Sequence, residues 1–224
     1  MAAQAPVAPI SGQRGRQIAY AGLRSAIATG ELVPAQRLVE LDLAAHFNVT
    51  RSSIRAALMD LSTEGLVEHT PNKGASVRVV TIEEAVAITE VRMQLEGLCA
   101  AKAAVRATDA ERAELREIGR AMQAAVDAEN AAVYAQLNIR LHSLVRDIGH
   151  QPVAADLLDR LNGQLVRHRF RLSQREGRPR KSLGEHLEII EAVSCGDPER
   201  ASAAIHAHLR SVIEALEETP GGRL

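Results

Sequence analysis

Leu43 to Leu61, LAAHFNVTRSSIRAALMDL, is the stretch whose reading decides the fold. Leu43, Ala44 and Phe47 give a short helix one apolar face, and Asn48 suits the left-handed turn position that most side chains avoid. Thr50 is placed to N-cap a second helix, which Arg51 opens. Within it Ile54, Leu58 and Leu61 recur at i, i+4 and i+7 as one buried stripe, while Arg51, Ser52 and Arg55 crowd the opposite side near the N-terminus. This is the layout of a helix-turn-helix, whose second helix aims its first turns at base edges in the major groove.

Working outward, Gln17 to Thr29 reads as a preceding helix with Ile18, Leu23 and Ile27 inward and Gly30 as its stop. Leu32 to Arg37 is a proline-bearing connector. Downstream, Leu66–Thr70 and Ser76–Val80 are two short β-branched runs around Pro71-Asn72-Lys73-Gly74, a hairpin with turn residues at its tip. Three helices plus this hairpin wing make a winged helix-turn-helix over residues 14–80. Residues 1–13 read as a disordered tail, Ala/Pro-rich and lacking the basic start of a signal peptide.

From Thr81 the apolar period is helical throughout. The spacing predicts an antiparallel bundle of six helices over residues 81–218: Ile82–Ala107, Asp109–Asp127, Ala131–Ile148, Pro152–Ser173, Ser182–Val193 and Pro198–Glu217, with a loose C-terminus at 219–224. Thr81 with Glu84, and Thr108 with Glu111, have capping-box spacing. Breaks fall at Gly149, at Gly177-Arg178-Pro179 and at Gly196-Asp197-Pro198.

Composition agrees with a mainly α fold. Of 224 residues 46% are hydrophobic but only 2% aromatic, so the core is Leu, Ile, Val and Ala. The net charge of −1 divides into 8 Lys/Arg against 6 Asp/Glu in residues 1–80, and 19 against 22 thereafter, so affinity for nucleic acid has to come from local placement. Cys99 and Cys195 cannot form a disulfide framework, and no run approaches the ~20 apolar residues needed to cross a bilayer. A cytoplasmic chain with reduced thiols and no membrane partner is the expectation.

In the bundle His142, His186 and His208 each fall on the inward stripe of a different helix, whereas His206 points the other way and His150 lies in a break. One inward histidine is ordinarily a hydrogen-bonded core residue. Three converging, with Asn138 one helical turn before His142 as an oxygen ligand, suit a divalent metal such as zinc or nickel. Arg92 interrupts the first bundle helix's apolar stripe: it either pairs with Glu96 at i+4 or faces an anionic ligand. Arg169, with His168 and Arg171, offers further cations. No carboxylate is evident on the stripes beside the histidines, which weighs against the enzymatic alternative of a three-histidine metal hydrolase.

These motifs together resemble the GntR-family bacterial transcription regulators. The first domain carries AIATGELVPAQRLVE, LAAHFNVTRSSIRAAL, LSTEGLV and PNKGASV in the family's order. The second carries EVRMQLEG, NIRLH, EHLEIIEAV and GDPERASAAIHAHL, which resemble the FCD effector domain in its smaller, VanR-like form. The resemblance implies a homodimeric regulator, most simply a repressor, that binds a palindromic double-stranded operator and answers to a small organic acid. It carries DNA-contact roles onto Thr50, Arg51, Ser52, Arg55, Lys73 and Gly74, and metal ligation onto His142, His186 and His208. Three positions depart from the pattern. Ala35 replaces a usual glycine, a mild change; Leu41 replaces a DNA-contacting arginine; and Asn138 replaces a frequent aspartate. A constitutive DNA-binding dimer with a vestigial pocket is the remaining alternative.

Overall fold

The computed structural model describes residues 8–70 and 74–218, and the chain divides into two units between Val80 and Thr81. The first unit holds α1 (Gly12–Thr29), β1 (Arg37–Leu38), α2 (Glu40–His46), α3 (Arg51–Thr63), β2 (Val67–Thr70) and β3 (Gly74–Val77). The strands form an antiparallel sheet in the order β1-β3-β2. Leu23, Ile54, Leu58 and Leu61 are buried together with Leu38 and Val77, so the stripe of α3 packs as its spacing requires. Asn48 takes φ 50°, and Thr50 Oγ1 accepts the Ser53 N–H at 3.3 Å, which fixes the turn and the start of α3.

Three expectations need correction here. The tail is shorter than residues 1–13: Ile10 donates to the Asn48 carbonyl and accepts from Thr50 N, both at 3.0 Å, so the chain is tied down before α1 begins at Gly12. The connector contributes β1, because Leu38 and Arg37 pair with Ala75 and Ser76 on the open edge of β3. Ala35 is more than a mild change, since it sits at φ 62°, where an L side chain costs roughly 1–2 kcal/mol that glycine avoids. Lys73 and the rest of the hairpin tip, Pro71 and Asn72, lie outside the described residues, as does the C-terminus from 219.

The second unit is helical: α4 (Ile82–Arg106), α5 (Asp109–Asp127), α6 (Ala131–Gly149), α7 (Pro152–Gln164), α8 (Val166–Ser173), α9 (Arg178–Cys195) and α10 (Pro198–Glu217). Seven helices stand where six were expected. The fourth expected helix breaks at buried Leu165 (φ −90°, ψ 3°), just after Gly163, a residue of poor helix propensity. α9 also begins four residues earlier than expected, because Pro179 occupies its first turn, where a missing N–H costs nothing. Thr108 and Glu111 form both bonds of a capping box, and Thr81 and Asp197 cap α4 and α10.

α4 runs through the middle, packed by α6, α7, α9 and α10. Its small buried residues Ala85, Ala100, Ala103 and Ala104 permit close helix approach. At the α6 crossing a Cβ on Gly149 would lie 2.7 Å from the Cys99 carbonyl oxygen, so only glycine lets α6 close on α4 there. That closeness brings His142 of α6 against Glu96 of α4. Among the described residues no helix is long and apolar enough to cross a membrane.

Candidate functional site

The exposed N-terminal end of α3 carries Arg51, Ser52 and Arg55, with Thr50 as its cap. The Thr50 hydroxyl is shared among the Ser53 N–H and the Ser52 and Ser53 hydroxyls, the latter two at 3.0 and 2.9 Å. Arg55 donates from Nε and Nη2 to the two oxygens of Glu40, at 2.8 and 2.7 Å, and Arg51 Nη2 lies 3.6 Å from the same carboxylate. Its hydrogen bond with Arg55 holds Glu40 below the usual carboxylate range. Glu40, at the start of α2, thus holds the Arg55 guanidinium in a fixed plane, a role that sequence reading missed. Leu41 is 62% exposed beside it. Gly74 opens β3 at φ 86°, and a Cβ there would meet nothing within 4 Å.

In the helical unit α6, α9 and α10 bring His142, His186 and His208 together, with one ring nitrogen of each within 4.8 Å of the others. Ring centroids are 5.4 Å apart for His142–His186, 5.3 Å for His142–His208 and 4.4 Å for His186–His208. Each Nδ1 faces outward to a partner: Glu96 Oε2 at 2.9 Å for His142, Tyr134 Oη at 2.9 Å for His186, and Glu185 Oε2 at 2.7 Å for His208. An ionised carboxylate only accepts, so His142 and His208 each carry a proton on Nδ1. His142 Nε2 and His186 Nε2 are 3.4 Å apart. Two imidazoles on a tetrahedral ion with bonds of ~2.0–2.1 Å would stand at about that separation.

The electrostatics favour neutral His186 and His208 and charged carboxylates. Burial pushes His208 down to about 4 despite the Glu185 hydrogen bond, and burial, with His208 and His142 nearby, pushes His186 well below its usual value. Burial alone would raise Glu96, but Arg92 and His142 outweigh it and hold the carboxyl well below the ordinary range. Glu185 is lowered likewise, its burial outweighed by His208, Ser211 and Arg178.

Asn138 lines the same cavity, and its buried Oδ1 has no hydrogen-bond partner. Three clustered imidazoles, with an orphaned amide oxygen lining the cavity beside them, are a donor set that fits a divalent cation. The cavity, about 80 Å³, is also lined by Arg92, Arg169, Arg178, Tyr134 and Ser182. That is room for a small organic molecule, given ~10–15 Å³ for one water. Arg92, 5% exposed, donates to Glu96 Oε1 from Nε (3.1 Å) and Nη2 (2.7 Å), so it both makes the i+4 pair and faces the cavity. Arg169 Nη1 reaches Asn162 Oδ1 at 3.4 Å. The expectation that no carboxylate stands beside the histidines is wrong: Glu96 and Glu185 do, each committed to orienting an imidazole.

A winged helix-turn-helix joined to a helical unit with a polar internal cavity is the architecture of a class of DNA-binding regulators. Residues 16–77 match the bacterial regulatory proteins of the gntR family, and residues 87–211 match the FCD domain. An uncharacterized HTH-type transcriptional regulator in an unstable DNA locus of Streptomyces ambofaciens is 32% identical over 217 residues, covering 94% of this chain and 89% of its own. The HTH-type transcriptional repressor RspR of Escherichia coli (strain K12) is 24% identical over 199 residues, covering 89% of this chain and 87% of its own. Among solved structures, E. coli McbR/YncC superposes with a TM-score of 0.78 at 18% identity, covering 91% of this chain and 97% of its own, a likeness of fold. The chain belongs to the GntR family of transcription regulators, in the group that carries an FCD domain. It is a DNA-binding regulator and not an enzyme, which sets the hydrolase alternative aside.

Proposed function

We propose that the protein is a cytoplasmic repressor that binds a palindromic operator as a homodimer. A small carboxylate, bound in the histidine cavity of the FCD domain, controls that binding. The observation that carries the reading is the cluster of three histidines, each with Nδ1 held by an outer partner, opening onto a cavity lined by Arg92 and Arg169. His142, His186 and His208, with Asn138, would hold zinc or nickel. A divalent ion there supplies a Lewis-acidic anchor for a carboxylate oxygen. Because Asn138 is neutral, the ligand set adds no negative charge of its own, which favours an anionic effector. Arg92, kept in place by Glu96, faces the same space.

On the DNA side Arg51 and Arg55 are the base readers, each bidentate contact to guanine worth ~1–3 kcal/mol of discrimination. Thr50, Ser52, Lys73 and Gly74 anchor to the backbone. An effector changes operator affinity only by binding two protein conformations unequally. Elemental analysis of protein purified without chelator, beside a His186→Ala variant, tests the site. Close to one divalent ion per chain is expected in the wild type, with the variant losing both the ion and carboxylate binding. A metal-free wild type whose carboxylate binding survives His186→Ala would overturn the reading.

A further inference from the structure

We infer that Arg178 forms a second anion subsite in the histidine cavity, so that the effector is a short dicarboxylate with one carboxylate at the histidines and the other on Arg178. The inference rests on the carboxylate reading above and narrows its chemistry. Arg178 lies in the first turn of α9, is 8% exposed and lines the cavity. Its Nη1 is satisfied by Ser211, donating to Oγ at 2.8 Å and to the carbonyl at 3.3 Å. Its Nη2 is buried without a hydrogen-bond partner. Among the described residues the other guanidinium nitrogens so placed belong to Arg24, Arg146 and Arg167, none of which lines this cavity.

The nearest carboxylate does not fill the gap. Glu185 Oε2 is 3.7 Å from Arg178 Nη2, beyond hydrogen-bond length, and that oxygen already accepts from His208 Nδ1 at 2.7 Å. A buried guanidinium N–H without an acceptor is costly, and a ligand carboxylate is an acceptor of matching charge for it. Arg92 differs, since its Nε and Nη2 are already committed to Glu96. A monoacid seated at the histidines would leave Arg178 Nη2 as it is, whereas a second carboxylate would pair it. The span is short: Arg178 Nη2 and the outward Nδ1 of His208 both lie near one Glu185 oxygen, at 3.7 and 2.7 Å, so the cluster-facing side of that imidazole is only one ring width farther from Arg178. A four- or five-carbon diacid fits that reach and the small cavity.

Calorimetric titration of the metal-loaded full-length protein provides the test. The probes are succinate against butyrate and succinamate, and glutarate against pentanoate. Charge-assisted pairing of a buried edge predicts about a tenfold to hundredfold preference for each diacid in the wild type. Arg178→Gln should reduce that preference, read as the ratio of diacid to monoacid affinity in the same variant, to within about threefold; Arg178→Lys, which keeps the charge, should retain part of it. Should Arg178→Gln fail to fold by circular dichroism, the wild-type succinate–succinamate ratio and the Arg178→Lys titration decide. Equal binding of mono- and diacids by the wild type, or a diacid preference that survives Arg178→Gln, overturns the subsite while leaving the carboxylate reading intact. Failure of every acid to bind removes both.

Discussion

Glu96→Gln is the most discriminating perturbation of the histidine cluster. Glu96, 4% exposed, accepts from Arg92 with Oε1 and from His142 Nδ1 with Oε2, so one carboxylate serves two buried donors. An amide has a single acceptor oxygen, and its NH2 would face whichever donor that oxygen does not take. Breaking a buried ion pair from one side costs about 3–5 kcal/mol; the amide keeps one hydrogen bond, so the lower end, ~3 kcal/mol, is expected for metal-free protein. Metal affinity should fall by about 10- to 100-fold, because His142 loses the acceptor that sets its tautomer and ring plane. Urea unfolding of chelator-treated protein measures the first effect, and competition against a chromophoric chelator measures the second. The double variant Arg92→Met/Glu96→Leu separates them. With no charge left unpaired its stability should return to within about 1 kcal/mol of wild type, while metal affinity stays low because His142 Nδ1 still lacks its acceptor. Wild-type metal affinity in Glu96→Gln would refute the orienting role. A double variant as unstable as the single would refute the account of the ion pair.

Two further outcomes follow from the same geometry. The folded-state value of His208, about 4, lies below the ~6.5 of the unfolded chain, so the unfolded state binds more protons between them and stability rises with pH across that window. Metal-free protein should therefore lose about 3 kcal/mol on His208 alone as pH falls from 6.5 to 4, with His186 acting in the same direction; a urea midpoint that stays flat over that range would contradict the neutral, buried imidazoles. Arg51→Ala should abolish operator binding in a gel shift while carboxylate binding and dimerisation persist, and a normal footprint would rule out its base-reading role.

The reading unit was largely legible because its signals are local. The Thr50 cap, the left-handed Asn48 and the Ile54–Leu58–Leu61 stripe each depend on neighbours within one or two turns. The three histidines were legible for a related reason: helical phase alone puts each on an inward stripe, and a bundle has one interior. Their outer partners were not. Glu185 precedes His186 in sequence yet serves His208, and Glu96 reads as an ordinary i+4 partner of Arg92 until α6 places His142 against its second oxygen. Which carboxylate lies across from which imidazole is a property of two helices and their crossing, not of either pattern. Arg178 was hidden because Pro179 read as a break, whereas the proline starts α9 and turns the arginine into its first buried side chain. The interruption at Leu165 was equally obscure, since leucine favours helix and burial overrides that preference.

The placement of charge around the histidines bears on how an effector is sensed. Asn138 adds a neutral amide to the histidine cavity, while the negative charges nearest Arg92 and Arg178 sit one layer out, on Glu96 and Glu185. Both carboxylates are engaged by imidazole Nδ1 atoms, so they polarise the histidines without competing for a position at the cluster. A carboxylate effector, as proposed, would therefore meet cationic and neutral groups on the cavity side and would displace no protein anion. The groups it would gather come from α4 (Arg92), α6 (Asn138, His142), α8 (Arg169), α9 (Arg178, His186) and α10 (His208). A conformation in which these helices stand apart would lose several of those contacts together. That loss is the unequal affinity for two conformations that an effector needs if it is to act on DNA binding. α4 starts at Ile82, directly after the DNA-reading unit in the chain, and it carries both Arg92 and Glu96. Its buried ion pair is therefore the part of the cavity closest in sequence to the reading helix, and the part whose disturbance should register in both metal affinity and operator binding.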